Sequence, residues 1–311
     1  MKSLELTVTA IDDSVPTIRT LTLARHDRTP LPSFTPGSHI VLQCGGVTNA
    51  YSLTGESVAP AEYVVSVLDC PDGAGGSRWV HRELAVGDVV SVAPPRSAFA
   101  PVLRAKRHLF VVAGIGITPV VSHLRSARRW GRETQVLYIH RSGRGAYIDE
   151  TKALADDASF FTERSTFYTE LEAGLADQPF GTHLYVCGPT AFMDDVTTLA
   201  TELGWPASRV HVERFGIDAL EAGEPFEVHL AGSGERFTVE SGVSLLAALE
   251  ARGHVVPNMC RQGVCGECRI TVCGGDVLHR DLYLTAADKE TGDSLMSCVS
   301  RAAGDRLELA L

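Results

Sequence analysis

The chain has 311 residues, of which 44% are apolar and 21% are charged, and its formal net charge is −10. This length exceeds what one hydrophobic core usually holds, so we expect two or three domains. The composition excludes a disordered chain, the lack of an 18-residue apolar run excludes a membrane-spanning helix, and the acidic balance disfavours a nucleic-acid partner, which needs clustered positive charge.

The amino-terminal sequence MKSLELTVTAIDD has neither the long apolar segment nor the small-residue cleavage site of a secretory signal. It therefore predicts a cytoplasmic protein. In that reducing compartment, the eight cysteines are expected to be thiols or metal ligands and not a disulfide framework.

Short β-rich segments fill the chain from residue 1 to about residue 100. They are LELTVTAI, IRTLTLA, HIVLQC and YVVSVLD, and turns rich in proline and glycine, such as LPSFTPGS, separate them. Many short strands at this spacing are typical of an antiparallel barrel or sandwich.

From about residue 108, continuous apolar strands alternate with helices. The strands are HLFVVAG, TQVLYIH and THLYVCG, and the helices are GITPVVSHLRSARRWG and PTAFMDDVTTLATELG. This alternation predicts a mostly parallel α/β sheet. Pro119 and Pro189 stand where a first-turn proline is tolerated, and Gly131 and Gly204 where a left-handed terminal residue is wanted. The second helix should bury one stripe, made of Phe192, Val196, Leu199 and Leu203.

The polar stretch IDALEAGEP reads as a linker to a third segment. There FEVHLAGSGERFTVE predicts a hairpin and SLLAALEARG a short helix that ends at Gly253. Next comes CRQGVCGEC, which places Cys260, Cys265 and Cys268 in one loop, and Cys298 follows 30 positions after Cys268.

This cysteine spacing matches the plant-type [2Fe–2S] pattern, in which one loop carries three thiolates and a distant thiolate completes the set. A structural zinc site normally uses two paired knuckles, and unliganded thiols are the other alternative. Gly263 and Gly266 fit a loop that curls around a cluster. Cys273, in the predicted strand RITVC, competes as a ligand, and a small buried thiol is its expected role.

With this motif, HRDLYL at 279–284 and the ending MSCVSRAAGDRLELAL, the whole chain resembles the phthalate dioxygenase reductase family. The resemblance implies an α/β plus β protein of several domains. A flavin-binding antiparallel β-barrel should span residues 1–102 and a nicotinamide-binding parallel α/β sheet residues 103–216. A linker at 217–225 should lead to a plant-type ferredoxin domain with the β-grasp fold at 226–311.

NAYSLTG, at 49–55, matches the family's flavin motif at Tyr51 and Ser52, but Asn49 stands where the family has arginine. A tyrosine ring offers a flat face to a flavin, and a hydroxyl can hydrogen-bond its hydride-accepting edge. The glycine-rich DGAGGSR can form an anion-binding nest, where the family holds the FMN phosphate. The full set of expected flavin residues is Asn49, Ala50, Tyr51, Ser52, Ser66, Val67, Leu68, Gly75, Gly76, Ser77 and Phe215.

AGIGITP is not the dinucleotide fingerprint, because Pro119 replaces its third glycine. Its position between a strand and a helix, repeated at CGP, is where open α/β sheets bind ligands. The resemblance places Thr118 and Cys187 near the reacting nicotinamide carbon, and Ala113 replaces a family glycine. The expected nicotinamide residues are Gly114, Gly116, Thr118, Cys187, Gly188 and Pro189.

Nicotinamide gives up two electrons as hydride and a [2Fe–2S] cluster accepts one at a time, so a group with a stable half-reduced state must stand between them, and flavin is such a group. The chain is thus predicted to be an NADH-dependent reductase that passes single electrons through FMN and the cluster to an oxygenase component. Ser52, Thr118 and Cys187 are its expected catalytic residues, and the metal ligands are the four cysteines of the motif.

The resemblance favours FMN over FAD, NADH over NADPH, a monomer, and a Rieske-type non-haem iron oxygenase as acceptor. A haem-thiolate monooxygenase acceptor, a redox-sensing module without turnover, and a diaphorase with a vestigial cluster stay open.

Overall fold

The computed structural model describes residues 3–71, 75–97, 99–215, 223–258, 263, 266–281 and 283–311. The chain divides into two compact units, Met1–Phe215 and Gly216–Leu311. Within the part of the chain described, no helix has the length and apolarity that a membrane crossing requires. The boundary predicted near residue 102 lies inside the first unit and stays a prediction.

The first unit begins with an antiparallel sheet and one short helix. Its elements are β1 (Leu4–Val15), β2 (Ile18–Ala24), β3 (Ser38–Cys44), β4 (Val47–Ser52), β5 (Glu62–Leu68), α1 (Gly76–Arg82), β6 (Val89–Val92) and β7 (Arg96–Ser97). The strand order is β4-β3-β6-β1-β2-β5, and β7 pairs with β3. A bridge between Leu53 and Val65, with the Thr54 N–H donating to Val64 O at 2.9 Å, joins the two edge strands. The sheet therefore closes into the predicted barrel.

The same unit continues with a parallel sheet. Its elements are β8 (Arg107–Ala113), α2 (Ile117–Trp130), β9 (Glu133–Ile139), α3 (Ile148–Leu154), β10 (Asp157–Phe161), α4 (Arg164–Ala176), β11 (Thr182–Cys187), α5 (Thr190–Glu202) and β12 (Val210–Glu213). The order is β10-β9-β8-β11-β12, and all pairs are parallel. The run from Leu109 to Val112 has no exposed surface, because helices cover both faces of the sheet.

Two details of α5 differ from the prediction. Pro189 immediately precedes the helix instead of lying in its first turn. The buried positions are Met193, Val196 and Ala200, whereas Leu203 is 38% exposed because it follows the last helical residue. The predicted stripe is therefore wrong at that end. Gly131 (φ 62°) and Gly204 (φ 82°) do adopt the left-handed conformation expected after helices.

The second unit has a mixed sheet with helices on it. Its elements are β13 (Phe226–Leu230), β14 (Arg236–Val239), α6 (Leu245–Ala251), β15 (Arg269–Gly274), β16 (Val277–Leu278), α7 (Ala286–Thr291), β17 (Ser294–Met296), β18 (Arg301–Ala302) and β19 (Arg306–Leu309). In the order β14-β13-β19-β15-β17, β13 and β19 are parallel and the other pairs are antiparallel. A hairpin, a helix and a returning parallel strand make the predicted β-grasp topology.

Cys273 corrects another expectation. On β15, Ile270 and Val272 point into the core, so the alternation of a strand turns Thr271 and Cys273 to solvent. Cys273 is thus exposed and is not the small buried thiol that we predicted.

A buried guanidinium ties together the second unit. Arg301, 4% exposed, donates to Val243 O (2.6 Å), Glu224 O (3.1 Å) and Glu240 O (3.2 Å). Its carbon centre also lies 4.9 Å from the ring centre of Phe226. One side chain therefore holds the segment before β13 and the turn between β14 and α6.

We predict that Arg301→Met lowers the free energy of opening of this unit by about 2–3 kcal/mol, because buried carbonyls lose charged donors. Hydrogen exchange of the β13 and β19 amides in the full-length protein measures this. Arg236→Met, at an exposed position of β14, is the matched control and should change little. Equal exchange in both variants would contradict the prediction.

Candidate functional site

The NAYS motif lies on β4, beside the start of α1. Asn49 Nδ2 donates to Tyr51 Oη at 3.1 Å, and a Cβ on Gly76 would come within 2.7 Å of the same nitrogen. Asn49 therefore fills the space between the tyrosine and α1, and close contact requires glycine at position 76. Burial raises the pKa of Tyr51 well above its usual value, so its hydroxyl is a neutral hydrogen-bonding group. Ala50, between these residues, is exposed.

Ser52 ends β4 with a buried and unsatisfied hydroxyl. The residue is 4% exposed, and its Oγ has no hydrogen-bond partner among the described residues. A buried hydroxyl without a partner costs about 1–3 kcal/mol, so such an atom is suited to hydrogen-bond a bound ligand. The polar edge of a flavin would supply that group, and Ser52 therefore fits the predicted cofactor.

The predicted strand beside the flavin is β5. Ser66 and Val67 are buried, Leu68 is half-buried, and His81 Nε2 lies 2.9 Å from Val67 O, which links α1 to this strand. Asp72–Ala74 lie outside the described residues, so the predicted glycine nest is seen only from Gly75 onward.

Gly75 has φ 98°, and α1 begins at the next residue. The Ser77 hydroxyl accepts from the backbone N–H of Cys70 at 3.2 Å. The described part of the predicted nest, Gly75, Gly76 and Ser77, therefore lies together at the start of α1.

The two strand-to-helix turns of the parallel sheet are in direct contact. A Cβ on Gly116 would lie 2.4 Å from Cys187 O and 2.9 Å from Gly188 N, so this glycine packs on that peptide bond. A Cβ on Gly188 would lie 2.9 Å from the Ala113 Cβ. The methyl group that replaces the family glycine thus packs against the second turn. Gly114 has φ 55°, which glycine adopts without strain.

Thr118 and Cys187 face this contact as buried, neutral groups. The Thr118 hydroxyl, in the first turn of α2, donates to Ile115 O at 2.9 Å and so joins the start of the helix to the preceding turn. Cys187 ends β11 with no exposed surface. Burial, with the nearby carboxyl of Glu213, raises the pKa of its thiol far above the usual value. The thiol therefore stays protonated and contributes shape, not charge. Pro189, which completes the turn, is exposed.

Sequence reasoning missed Glu213, which ends β12 in register with Cys187. It is 1% exposed, its Oε2 has no hydrogen-bond partner among the described residues, and burial raises its pKa to about 8. A neutral carboxyl can donate and accept, as recognition of an amide requires. The available signal was an acidic residue at a strand end in VERFG, where only Phe215 was singled out. Phe215 follows β12 and is 43% exposed.

Two of the four predicted cluster ligands lie together in the second unit, and Cys260 and Cys265 lie outside the described residues. Cys268 and Cys298 are buried, and their sulfur atoms are 3.2 Å apart. The hydrogen bond that they share lowers the pKa of Cys268 below its usual value and favours thiolate, the form that binds metal. The donor set therefore fits an iron–sulfur cluster.

The glycines of the cysteine loop are required by close packing. At Gly266, φ 82°, a Cβ would meet the Tyr283 ring at 2.3 Å, and at Gly263, φ 70°, it would come within 3.0 Å of Asp281 Cα. Asp281 and Tyr283, of the HRDLYL motif, therefore pack against these two glycines, and Leu282 lies outside the described residues.

A barrel with an unsatisfied buried hydroxyl, a parallel sheet whose two turns meet, and a β-grasp unit with converging thiols define a modular electron-transfer reductase. Residues 89–210 match the model of the dimethylamine monooxygenase subunit DmmA-like N-terminal domain, and residues 228–303 that of the 2Fe-2S iron-sulfur cluster binding domain.

Two curated relatives match nearly the full length of the chain. The heme-dependent oxidative N-demethylase beta subunit of Ectopseudomonas mendocina (strain ymp) is 38% identical over 310 residues, 99% of each chain. The carnitine monooxygenase reductase subunit of Escherichia coli (strain K12) is 34% identical and covers 99% of this chain and 98% of that one.

Among solved structures, phthalate dioxygenase reductase matches with a TM-score of 0.74 and 32% identity over 99% of this chain and 98% of that one. The chain belongs to the phthalate dioxygenase reductase family. It is an oxidoreductase of the oxygenase-reductase class with a [2Fe–2S] domain, and the predictions of family, fold class and enzyme class are confirmed. The individual flavin, nicotinamide and cluster residues stay predictions.

We predict that Glu213 makes stability fall as pH rises. Its pKa is about 8 in the folded state and ordinarily 4.5, so between these pH values the folded protein keeps a proton that the unfolded chain has released. The stability that this proton contributes is therefore lost as the pH rises from 4.5 to 8. Glu213→Gln removes the titration. Thermal unfolding of the full chain is measured from about pH 5.5 to 8.5. Relative to the variant, the free energy of unfolding of wild type should fall by at most about 1.4 kcal/mol per pH unit. Parallel pH profiles would contradict this.

Proposed function

We propose that this chain takes hydride from NADH onto FMN and passes single electrons through a [2Fe–2S] cluster to an oxygenase component. The observation that carries the proposal is the buried Cys268–Cys298 pair, held in a β-grasp unit that follows a nucleotide-binding type of sheet in the same polypeptide. When bound, FMN supplies the conversion between two-electron and one-electron transfer.

The residues of the chain position and shield these groups. Ser52 would donate a hydrogen bond to the flavin edge, and Tyr51 would present its ring to the flavin. Thr118 and Cys187 would shape the pocket for the nicotinamide ring. Hydride transfer needs no protein acid or base, and burial keeps Tyr51 and Cys187 neutral, so these residues shape the site and do not supply protons. The cluster would bind to Cys260, Cys265, Cys268 and Cys298.

We propose that the acceptor is an oxygenase that works on a methylated nitrogen. The matching domain model and two relatives are named after dimethylamine monooxygenase, oxidative N-demethylase and carnitine monooxygenase. Dimethylamine and carnitine both carry a methylated nitrogen. The oxidative N-demethylase is haem-dependent. A haem-containing acceptor therefore remains an alternative to the predicted Rieske-type oxygenase. Offering the NADH-reduced chain separately to a haem-dependent N-demethylase and to a Rieske-type oxygenase, and comparing the NADH-coupled oxidation of each substrate, distinguishes the two.

Two further properties belong to this proposal. The chain is proposed to act as a monomer, and light scattering of the holoprotein tests that state. A cytoplasmic location is supported by the predicted need for NADH and for reduced thiols. Fractionation of the source cells tests that location.

We predict that Cys298→Ser removes the [2Fe–2S] signal in electron paramagnetic resonance and at least about 90% of NADH-dependent cytochrome c reduction, because the cluster loses a thiolate ligand. Ferricyanide reduction should survive, since a reduced flavin reacts with it directly. Cys273→Ser removes an exposed thiol of the same unit and should keep about two irons per chain.

Other outcomes would favour the alternatives. Full cytochrome c activity in Cys298→Ser would point to a diaphorase with a vestigial cluster. A wild-type protein whose flavin is bleached once by NADH without sustained turnover would point to a redox sensor. A colourless protein that contains zinc would contradict the whole proposal.

A further inference from the structure

Tyr147 occupies a strained position in the parallel-sheet half of the first unit. It immediately precedes α3 and has φ 58°, a left-handed conformation that residues with a Cβ rarely adopt. Its ring packs against the core of that half, and its hydroxyl reaches the barrel. A strained backbone that is kept in a folded protein suggests a role for the side chain that it directs.

The hydroxyl joins two barrel segments. Tyr147 Oη lies 2.6 Å from Ser66 Oγ on β5 and donates to Thr54 Oγ1, just after β4, at 3.2 Å. Thr54 Oγ1 donates in turn to Val64 O at 3.2 Å, and Thr20 Oγ1 lies 2.7 Å from Ser66 Oγ.

Proton counting gives this network one direction. Each hydroxyl has a single proton, and that of Tyr147 goes to Thr54, so Ser66 must donate to Tyr147. The proton of Ser66 is then used, so Thr20 must donate to Ser66. The chain therefore runs from Thr20 through Ser66, Tyr147 and Thr54 and ends on the carbonyl of Val64. Without the Tyr147 hydroxyl, Ser66 loses its acceptor and Thr54 its donor.

The segments that Tyr147 joins flank the predicted flavin site. Thr54 follows Ser52 by two residues, and Ser66 belongs to the strand predicted to run beside the flavin ring. That strand, β5, lies against the turn Gly114–Gly116 of the nicotinamide site. A second tie runs from the same half, since Arg125 Nε donates to Thr54 O at 3.1 Å.

We propose that Tyr147 is a positioning residue for hydride transfer. Its hydroxyl fixes β5 and the end of β4 against the parallel sheet, and so sets the distance between the flavin edge and the nicotinamide. This inference rests on the proposed function. Hydride transfer is sensitive to small displacements, because reacting atoms must approach to about 3–3.5 Å.

The test compares Tyr147→Phe with Tyr168→Phe. Both remove one tyrosine hydroxyl from the parallel-sheet half, but Tyr168 donates only to Asp195 on the exposed surface, at 2.7 Å. Anaerobic stopped-flow mixing of the FMN-loaded proteins with NADH gives the rate constant of flavin reduction and the apparent Kd for NADH. We expect a fall of about tenfold in the rate constant for Tyr147→Phe, with an unchanged Kd, because donor and acceptor are held less closely. Tyr168→Phe should match wild type.

Two further readouts separate positioning from simple loss of stability. NADH deuterated at the transferred position should give Tyr147→Phe a larger isotope effect on turnover, since hydride transfer then limits the rate more. In the FMN-free proteins, hydrogen exchange of the amides in 62–68 and 53–54 should be faster in Tyr147→Phe, while β1 and β6 stay unchanged.

Equal reduction rates in Tyr147→Phe and wild type would overturn the inference, as would faster exchange spread over the whole barrel. If wild type itself is not reduced by NADH, the proposed function fails. Unchanged exchange at 62–68 in the FMN-free variant would then overturn the positioning role independently.

Discussion

Closure of the barrel at Thr54 is the interaction on which the rest of the first unit depends. The Thr54 N–H and the adjoining Leu53–Val65 bridge join the two edge strands. The same residue gives its hydroxyl to the Tyr147 network and its carbonyl to Arg125. One residue therefore seals the sheet, sets the end of β4 with the unsatisfied Ser52 hydroxyl, and anchors the barrel to the parallel sheet. A change there would alter cofactor geometry as well as stability.

Neutrality is the second organising feature. Tyr51, Cys187 and Glu213 are ionisable groups at or beside the predicted cofactor positions, and burial shifts the pKa of each so that the uncharged form is favoured at neutral pH. Hydride transfer moves negative charge from one cofactor to the other. Fixed protein dipoles do not need to reorient during this transfer, whereas mobile water does. The chain thus contributes neutral, buried side chains that shape the site, whereas the cofactors contribute the reactivity.

The sequence predicted elements wherever one periodicity dominated. The alternating strands of the barrel, the buried run of β8 and the cysteine spacing each reflect a single constraint, so the fold and the metal motif followed from them. Strand 47–52 was missed because polar side chains on an edge strand leave no apolar alternation. Cys273 was misplaced because residue type was weighed above strand parity, and Leu203 because the helix ends before it. Glu213 and Tyr147 depend on tertiary partners far away in sequence, which no local pattern reveals.

The pairing of β15 with β17 brings Cys268 and Cys298 together before any metal is considered. The fold itself therefore places two buried sulfurs side by side. Iron and sulfide would complete the centre, whereas an oxidant would link the sulfurs to each other and block loading. A reducing environment during synthesis would therefore favour the cluster over a disulfide.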